Sequence, residues 1–318
     1  MGELVKFLKR PKLKNPYFVA AWPGMGNVAV LAVDYLRNQL GAKLLGKVEP
    51  GEFFAPTGAV VQKQMIKPPE PPANHFFYHR SSHSDHDILF FLGSVQPIPH
   101  KEYAFAVDIL KAAKMFGVTS VYTAAAAPSD MHFKDTPRVF AVPNHPDILK
   151  MMAEYKVHFM GEGNIAGLNG LLIGVAAEMG MKGVCLLGEI PFFTAQIEFP
   201  KASLRILDVL TKFLGVKIDT VDLELYANQK EKEIEPLAAL LTKEQQESDA
   251  SHGEIVPEHE EKVPRSVRLK IEKLFRQAEF DRAYKSKMRL KEELDKWGLF
   301  DEYLDRFLDL FKKAHGES

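Results

Sequence analysis

Two short segments carry the residue types that could hold an anion. Pro23-Gly24-Met25-Gly26-Asn27-Val28-Ala29 follows an apolar run, and Gly161-Glu162-Gly163-Asn164-Ile165-Ala166 echoes it 137 residues later. Both read G-x-G-N-[V/I]-A. Glycine permits positive φ and close backbone approach, and Asn can cap a helix start. A helix N-terminus offers unpaired N–H groups and a partial positive charge, so either turn could take a small phosphate-bearing ligand. The same residues serve equally well as tight turns that let a helix pack on a strand. With Glu49 twenty residues past Ala29, the first turn also approaches the dinucleotide fingerprint. Pro23 ahead of the first glycine departs from that fingerprint, and no cofactor is expected.

The other candidates are weaker by type or by spacing. His75, His79, His83 and His86 fall near Asp85 and Asp87, which is zinc-compatible chemistry. Two of them would share a strand face and two a polar turn, so the expectation is a solvated hairpin end with no metal. Glu189, at the end of a strand, could face a crevice, and as a structural or interface group it fits better than as a catalyst. Ser129-Asp130-Met131-His132 holds triad residue types too close together to converge, without a nucleophile elbow. Cys185 lies inside Val184-Cys185-Leu186-Leu187 and reads as a buried apolar residue.

The elements that must position these residues alternate. Strands are expected at Tyr17–Trp22, Ala42–Glu49, Ile88–Val95, Val118–Ala124, Arg138–Val142, Val157–Met160 and Gly183–Leu187. Helices are expected from Asn27 to near Gly41 and at Glu102–Phe116, Pro146–Tyr155, Ile165–Met179 and Lys201–Leu214. Phe53–Ile66 and His75–His79 read as an antiparallel excursion around the proline-rich Lys67–Pro72. This alternation predicts an α/β fold, a mainly parallel twisted sheet with helices on both faces. Both glycine turns would then sit at the carboxyl edge of the strands, where ligands of such folds bind. The core is expected over residues 1–243. Residues 244–264, with seven acids and one base, read as an acidic linker, and 265–318 as a helical extension. Between Arg265 and Glu292 ten basic residues face four acidic ones, most simply a solvated helical surface.

A net charge of −1 over 318 residues argues against nucleic acid or an anionic membrane as a bulk-charge partner. The lone cysteine excludes an internal disulfide and suits the cytoplasm. The longest apolar stretch, Ile165–Ala177, is interrupted by Asn169 and too short to span a bilayer.

The run Phe18-Val-Ala-Ala-Trp-Pro-Gly-Met-Gly-Asn-Val-Ala resembles the N-terminal signature of the proteasome assembly chaperone family. Gly163-Asn-Ile-Ala-Gly-Leu-Asn-Gly-Leu-Leu-Ile-Gly-Val-Ala and Cys185-Leu-Leu-Gly-Glu-Ile-Pro resemble it too, and the likeness covers roughly residues 15 to 225. It implies a three-layer α/β fold like that of nucleoside phosphorylases, self-association and a protein partner. Some archaeal relatives dock through a C-terminal hydrophobic–tyrosine–any tail, whereas this sequence ends Gly316-Glu317-Ser318. The expectation is a non-catalytic homo-oligomer that binds a protein partner. The alternative is an enzyme or sensor that binds a small anion at the two turns.

Overall fold

The computed structural model describes residues 4–49, 51–54, 58–82, 84–250, 265–281 and 284–300, and the single residues 303, 304, 306, 307 and 310. The chain divides into two compact units, Met1–Gln245 and Gln246–Ser318.

The first unit is built on a nine-stranded sheet. In chain order its strands and helices are β1 (Val5–Phe7), β2 (Tyr17–Ala21), α1 (Val28–Gln39) and β3 (Lys43–Val48). A separate hairpin of β4 (Val60–Gln62) and β5 (Met65–Lys67) follows. Then come β6 (Asn74–His79), β7 (Ile88–Gly93), α2 (Glu102–Lys114), β8 (Ser120–Ser129), β9 (Val139–Pro143), α3 (Pro146–Met152) and β10 (His158–Phe159). The unit continues with α4 (Leu168–Glu178), β11 (Lys182–Pro191) and α5 (Pro200–Leu214), and α6 (Val221–Ala250) begins in it and runs past its Gln245 boundary.

The sheet order is β1-β3-β6-β7-β2-β8-β11-β9-β10. The four central strands β7, β2, β8 and β11 run parallel. The flanks turn antiparallel, at β6 on one side and at β9 on the other. The central strands are apolar on both sides because helices cover both faces. Val19, Ile88, Phe90, Val184 and Leu186 meet α1 and α5 on one face. Phe18, Leu89, Phe91, Cys185 and Leu187 meet α2 and α4 on the other. The expected three-layer α/β architecture is present.

Three expectations need correction. The antiparallel excursion expected over Phe53–Ile66 and His75–His79 is divided: β6 joins the main sheet, whereas the first stretch forms a short turn and the β4–β5 hairpin, which stands apart from that sheet. Helix α4 starts at Leu168, not at Ile165, and Gly167 at φ +79 precedes it. Helix α6 continues through Ala250 into the stretch expected as linker. Its polar composition describes solvation, and Glu and Gln are good helix formers. Residues 251–264 lie outside the described residues.

In the second unit α7 (Arg265–Asp281) and α8 (Tyr284–Lys296) share an apolar core. It gathers Ile271, Phe275, Ala278, Leu290, Leu294 and Phe307. Arg306 stacks 4.2 Å from the Phe275 ring centre and pairs with Glu272.

Candidate functional site at the carboxyl edge of the sheet

The first turn leaves β2 in the middle of the sheet and is tied down on all sides. Gly26, at φ +61, needs glycine's freedom. Its N–H donates to the Ala195 carbonyl, and its carbonyl accepts the Phe199 N–H, both at 2.9 Å. The Asn27 N–H donates to the Gly24 carbonyl at 2.9 Å. The Asn27 amide does not cap the helix. It donates to Glu198 Oε1 at 2.9 Å, and the other oxygen of that carboxylate accepts the Tyr226 hydroxyl. These bonds, Tyr226 first, hold the Glu198 carboxyl below its usual range. An anion at this helix start would meet a carboxylate and spent donors.

The second G-x-G-N segment does not leave its strand at that edge. β10 runs parallel to β9, and β9 runs antiparallel to β11. β10 is therefore an outer strand pointing opposite to β2, so Gly161, Gly163 and Asn164 do not leave the carboxyl edge of the central strands. They cross beside α4 and line an open cavity of about 450 Å³ with Val142, Met160 and Leu171. No residue of Pro23–Asn27 lines it. The expectation that both turns flank one crevice is thus corrected.

What does meet the first turn is the true start of α4. The Gln96 amide donates to the Pro23 carbonyl at 2.7 Å, and its oxygen accepts the Leu168 N–H at 3.2 Å. Buried Asn169 acts as a missing strand. Its Oδ1 accepts the Trp22 N–H and its Nδ2 donates to the Trp22 carbonyl, both at 2.9 Å. The Asn169 carbonyl accepts the Thr123 hydroxyl at 2.6 Å. Sequence reasoning missed Gln96 and saw Asn169 only as an interruption of an apolar helix. That interruption is the signal, because a buried amide inside a helix's apolar face needs polar partners.

Glu189 sits near the end of β11, with 3% of its side chain exposed. Arg138 grips it with Nε at 2.9 Å and Nη2 at 2.5 Å, and the Arg138 N–H adds a bond at 3.1 Å. The Ser129 hydroxyl donates at 2.8 Å. Arg138 first, then Ser129, pull the carboxyl down to about 2. A carboxylate so held is a permanent anion, a poor proton carrier that ties β8, β9 and β11 together.

The described histidines do not converge. His75 and His79 lie four residues apart on β6. Burial, with Lys47 and Arg37 nearby, lowers the His75 pKa. His86 stacks on Tyr17 at 4.1 Å and bonds the Asn15 carbonyl at 2.8 Å, while His83 lies outside the described residues. Among the described residues no three His, Cys, Asp or Glu side chains gather as metal ligands. Cys185 is buried and its thiol is pushed up to about 12. Glu49 pairs with Lys6 at 2.9 Å, and β3 is separated from β2 by β6 and β7. That distance removes it from any nucleotide held at the first turn.

The carboxyl edge instead exposes apolar side chains. Val95 follows β7, Met25 follows β2 and Phe192 follows β11, at 42%, 42% and 60% exposure. Among the described residues no helix is long and apolar enough to cross a membrane.

The family model described as the PAC2 family matches residues 18–238. An uncharacterised protein of Methanocaldococcus jannaschii is 24% identical over 71% of this chain and 84% of its own length. The crystal structure of Pyrococcus furiosus PbaB, described as an archaeal proteasome activator, is 26% identical with a TM-score of 0.64. It covers 74% of this chain and 98% of that one. A Mycobacterium tuberculosis protein described as a proteasome-assembly chaperone homologue shares the fold at 18% identity and a TM-score of 0.59, over 69% of this chain and 94% of that one. The resemblance read from the sequence is borne out.

Proposed function

Because the chain belongs to the PAC2 family, we propose that it is a non-catalytic, homo-oligomeric, chaperone-like protein whose carboxyl edge binds a proteasome subunit. The observation that carries this reading is the division of labour at that edge. The Gly26 and Asn27 N–H donors of the first turn are consumed internally by the Ala195 and Gly24 carbonyls, while Met25, Val95 and Phe192 stand in water. A small-anion site needs the opposite arrangement, free donors and a pocket. Exposed apolar side chains beside a turn whose Gly26 and Asn27 donors are internally paired suit a protein partner, whose apolar groups bury against them. The likeness to a protein described as a proteasome activator supports the choice of partner. The lone buried cysteine suits the reducing cytoplasm.

The test is binding of the purified full-length chain to the host's proteasome, both as free α subunits and as assembled particles, by biolayer interferometry. Saturable binding is expected, weakened tenfold or more in Met25→Ser/Phe192→Ser with an unchanged melting temperature. Absence of binding to either form, or equal binding by that variant, would overturn the proposal.

A further inference from the structure

β10 is the last strand of the main sheet, so one side of its backbone has no strand beside it. Unpaired edges are usually blunted by lysine, proline or a covering segment. His158 and Phe159 bring neither lysine nor proline, and both are exposed. Phe159 is 41% and Met160 37% exposed. Past them, among the described residues no hydrogen bond joins residues 161–166 to the rest of the chain. Their N–H and C=O groups continue the outer side of β10 as a run of free backbone.

The fold itself does not call for the glycines in that run. Neither Gly161 nor Gly163 has a positive φ. A Cβ on Gly161 would meet nothing within 4 Å, and one on Gly163 only the Met160 side chain. Glycine there costs chain entropy relative to alanine without gaining a tight turn or a close internal approach. What it provides is bare backbone, which a second backbone can approach. The cavity of about 450 Å³ beside these glycines has apolar walls at Val142, Met160 and Leu171, and Glu102 is the one charged residue lining it. Neighbouring Lys101 pairs with Glu52 at 2.8 Å, and no cation is paired with Glu102 among the described residues.

These features select the occupant. An extended backbone suits the free edge, because strand addition supplies the missing main-chain partners. A basic side chain suits the cavity, with an apolar stem for its walls and a charge for its carboxylate. An acidic group would be repelled by Glu102, and a wholly apolar one would strip it of water. We propose that β10 and residues 160–164 receive an extended segment of a protein partner. The segment adds a strand beside β10 and places a lysine or arginine in the cavity, its stem against Val142 and Leu171 and its charge at Glu102. None of Met25, Val95 and Phe192 lines this cavity, so the surface is additional to the carboxyl edge.

The experiment uses the immobilised full-length chain and pools of capped random peptides that share one fixed central residue: lysine, arginine, glutamate or leucine. Retention is read by mass spectrometry. The lysine and arginine pools should be retained tenfold or more over the other two. Glu102→Gln should abolish that preference, and Gly161→Val, which fills open space on the free chain, should abolish retention with the melting temperature unchanged. Glu102 also suits the first turn of α2 as an acid. A preference that survives Glu102→Gln would leave it only that role and overturn the proposal. No retention by the wild-type chain, equal retention of all pools, or retention unaffected by Gly161→Val would overturn it too. Competition by acetyl-lysine methylamide as effective as by the peptides would make the cavity a simple amine site and overturn the strand addition. No proteasome subunit is present in the assay, so its outcome is independent of the carboxyl-edge reading.

Discussion

At the scale of single residues, the carboxyl edge is held by side chains that replace backbone partners. Asn169 supplies both hydrogen bonds for Trp22, and Asn169→Leu would leave the Trp22 N–H and carbonyl buried without them. Each such loss costs about 1–3 kcal/mol. The variant should lose about 3 kcal/mol, read by calorimetry as a fall of roughly 6–12 °C in melting temperature. The two glycine turns should behave differently. Gly26→Ala puts a Cβ at positive φ, 3.1 Å from Val28 Cγ2, and should cost roughly 1–2 kcal/mol. Gly163 has no positive φ, and its added Cβ meets only the flexible Met160 sulfur at 3.2 Å, so Gly163→Ala should stay within about 0.5 kcal/mol. Equal destabilisation in urea titrations would contradict this asymmetry. Glu189 makes stability depend on pH. Its folded pKa of about 2 lies below the ordinary 4.5, so its stabilisation is complete above that ordinary value and is lost as pH falls toward 2. Glu189→Gln should flatten that acid limb of the stability curve, and an unchanged slope between pH 4.5 and 2 would count against the Arg138–Glu189 clamp.

At the scale of elements, close approach sets what the sequence could reveal. β7 ends at Gly93 because the Trp22 indole lies across it. An added Cβ would fall 2.3 Å from Trp22 Cδ1. Gly93→Ala should displace the indole, cost about 3 kcal/mol and redden tryptophan emission. The alternation of strands and helices was legible because 3.6-residue and two-residue periods are written in single stretches of sequence. The direction of β10 was not legible. Whether a two-residue strand runs with or against β2 depends on β9 turning antiparallel to β11, a pairing made across more than forty residues. The echo between the two glycine segments therefore suggested a shared crevice that the topology does not build. The Gln96 bridge from Pro23 to Leu168 was hidden for the same reason, since it joins three separate segments. The exposed aliphatic hairpin was partly visible as an antiparallel excursion, but its separation from the main sheet was not.

At the scale of the whole molecule, a matched family, an internally bonded first turn and exposed apolar residues along the carboxyl edge describe one surface. The residues that could have done chemistry are instead committed to holding that surface in shape. Glu189 is locked by Arg138, Glu198 by Tyr226 and Asn27, and Cys185 is buried. Under the proposed function, recognition falls on the edge that runs past Trp22–Asn27, Val95–Gln96 and Phe192–Ala195. Hydrogen–deuterium exchange of the full-length chain, with and without proteasome α subunits at saturating concentration, tests that claim most directly. Slowed exchange concentrated in those three segments is the predicted result, and a complex whose protection falls elsewhere, with the edge exchanging as in the free chain, would contradict it.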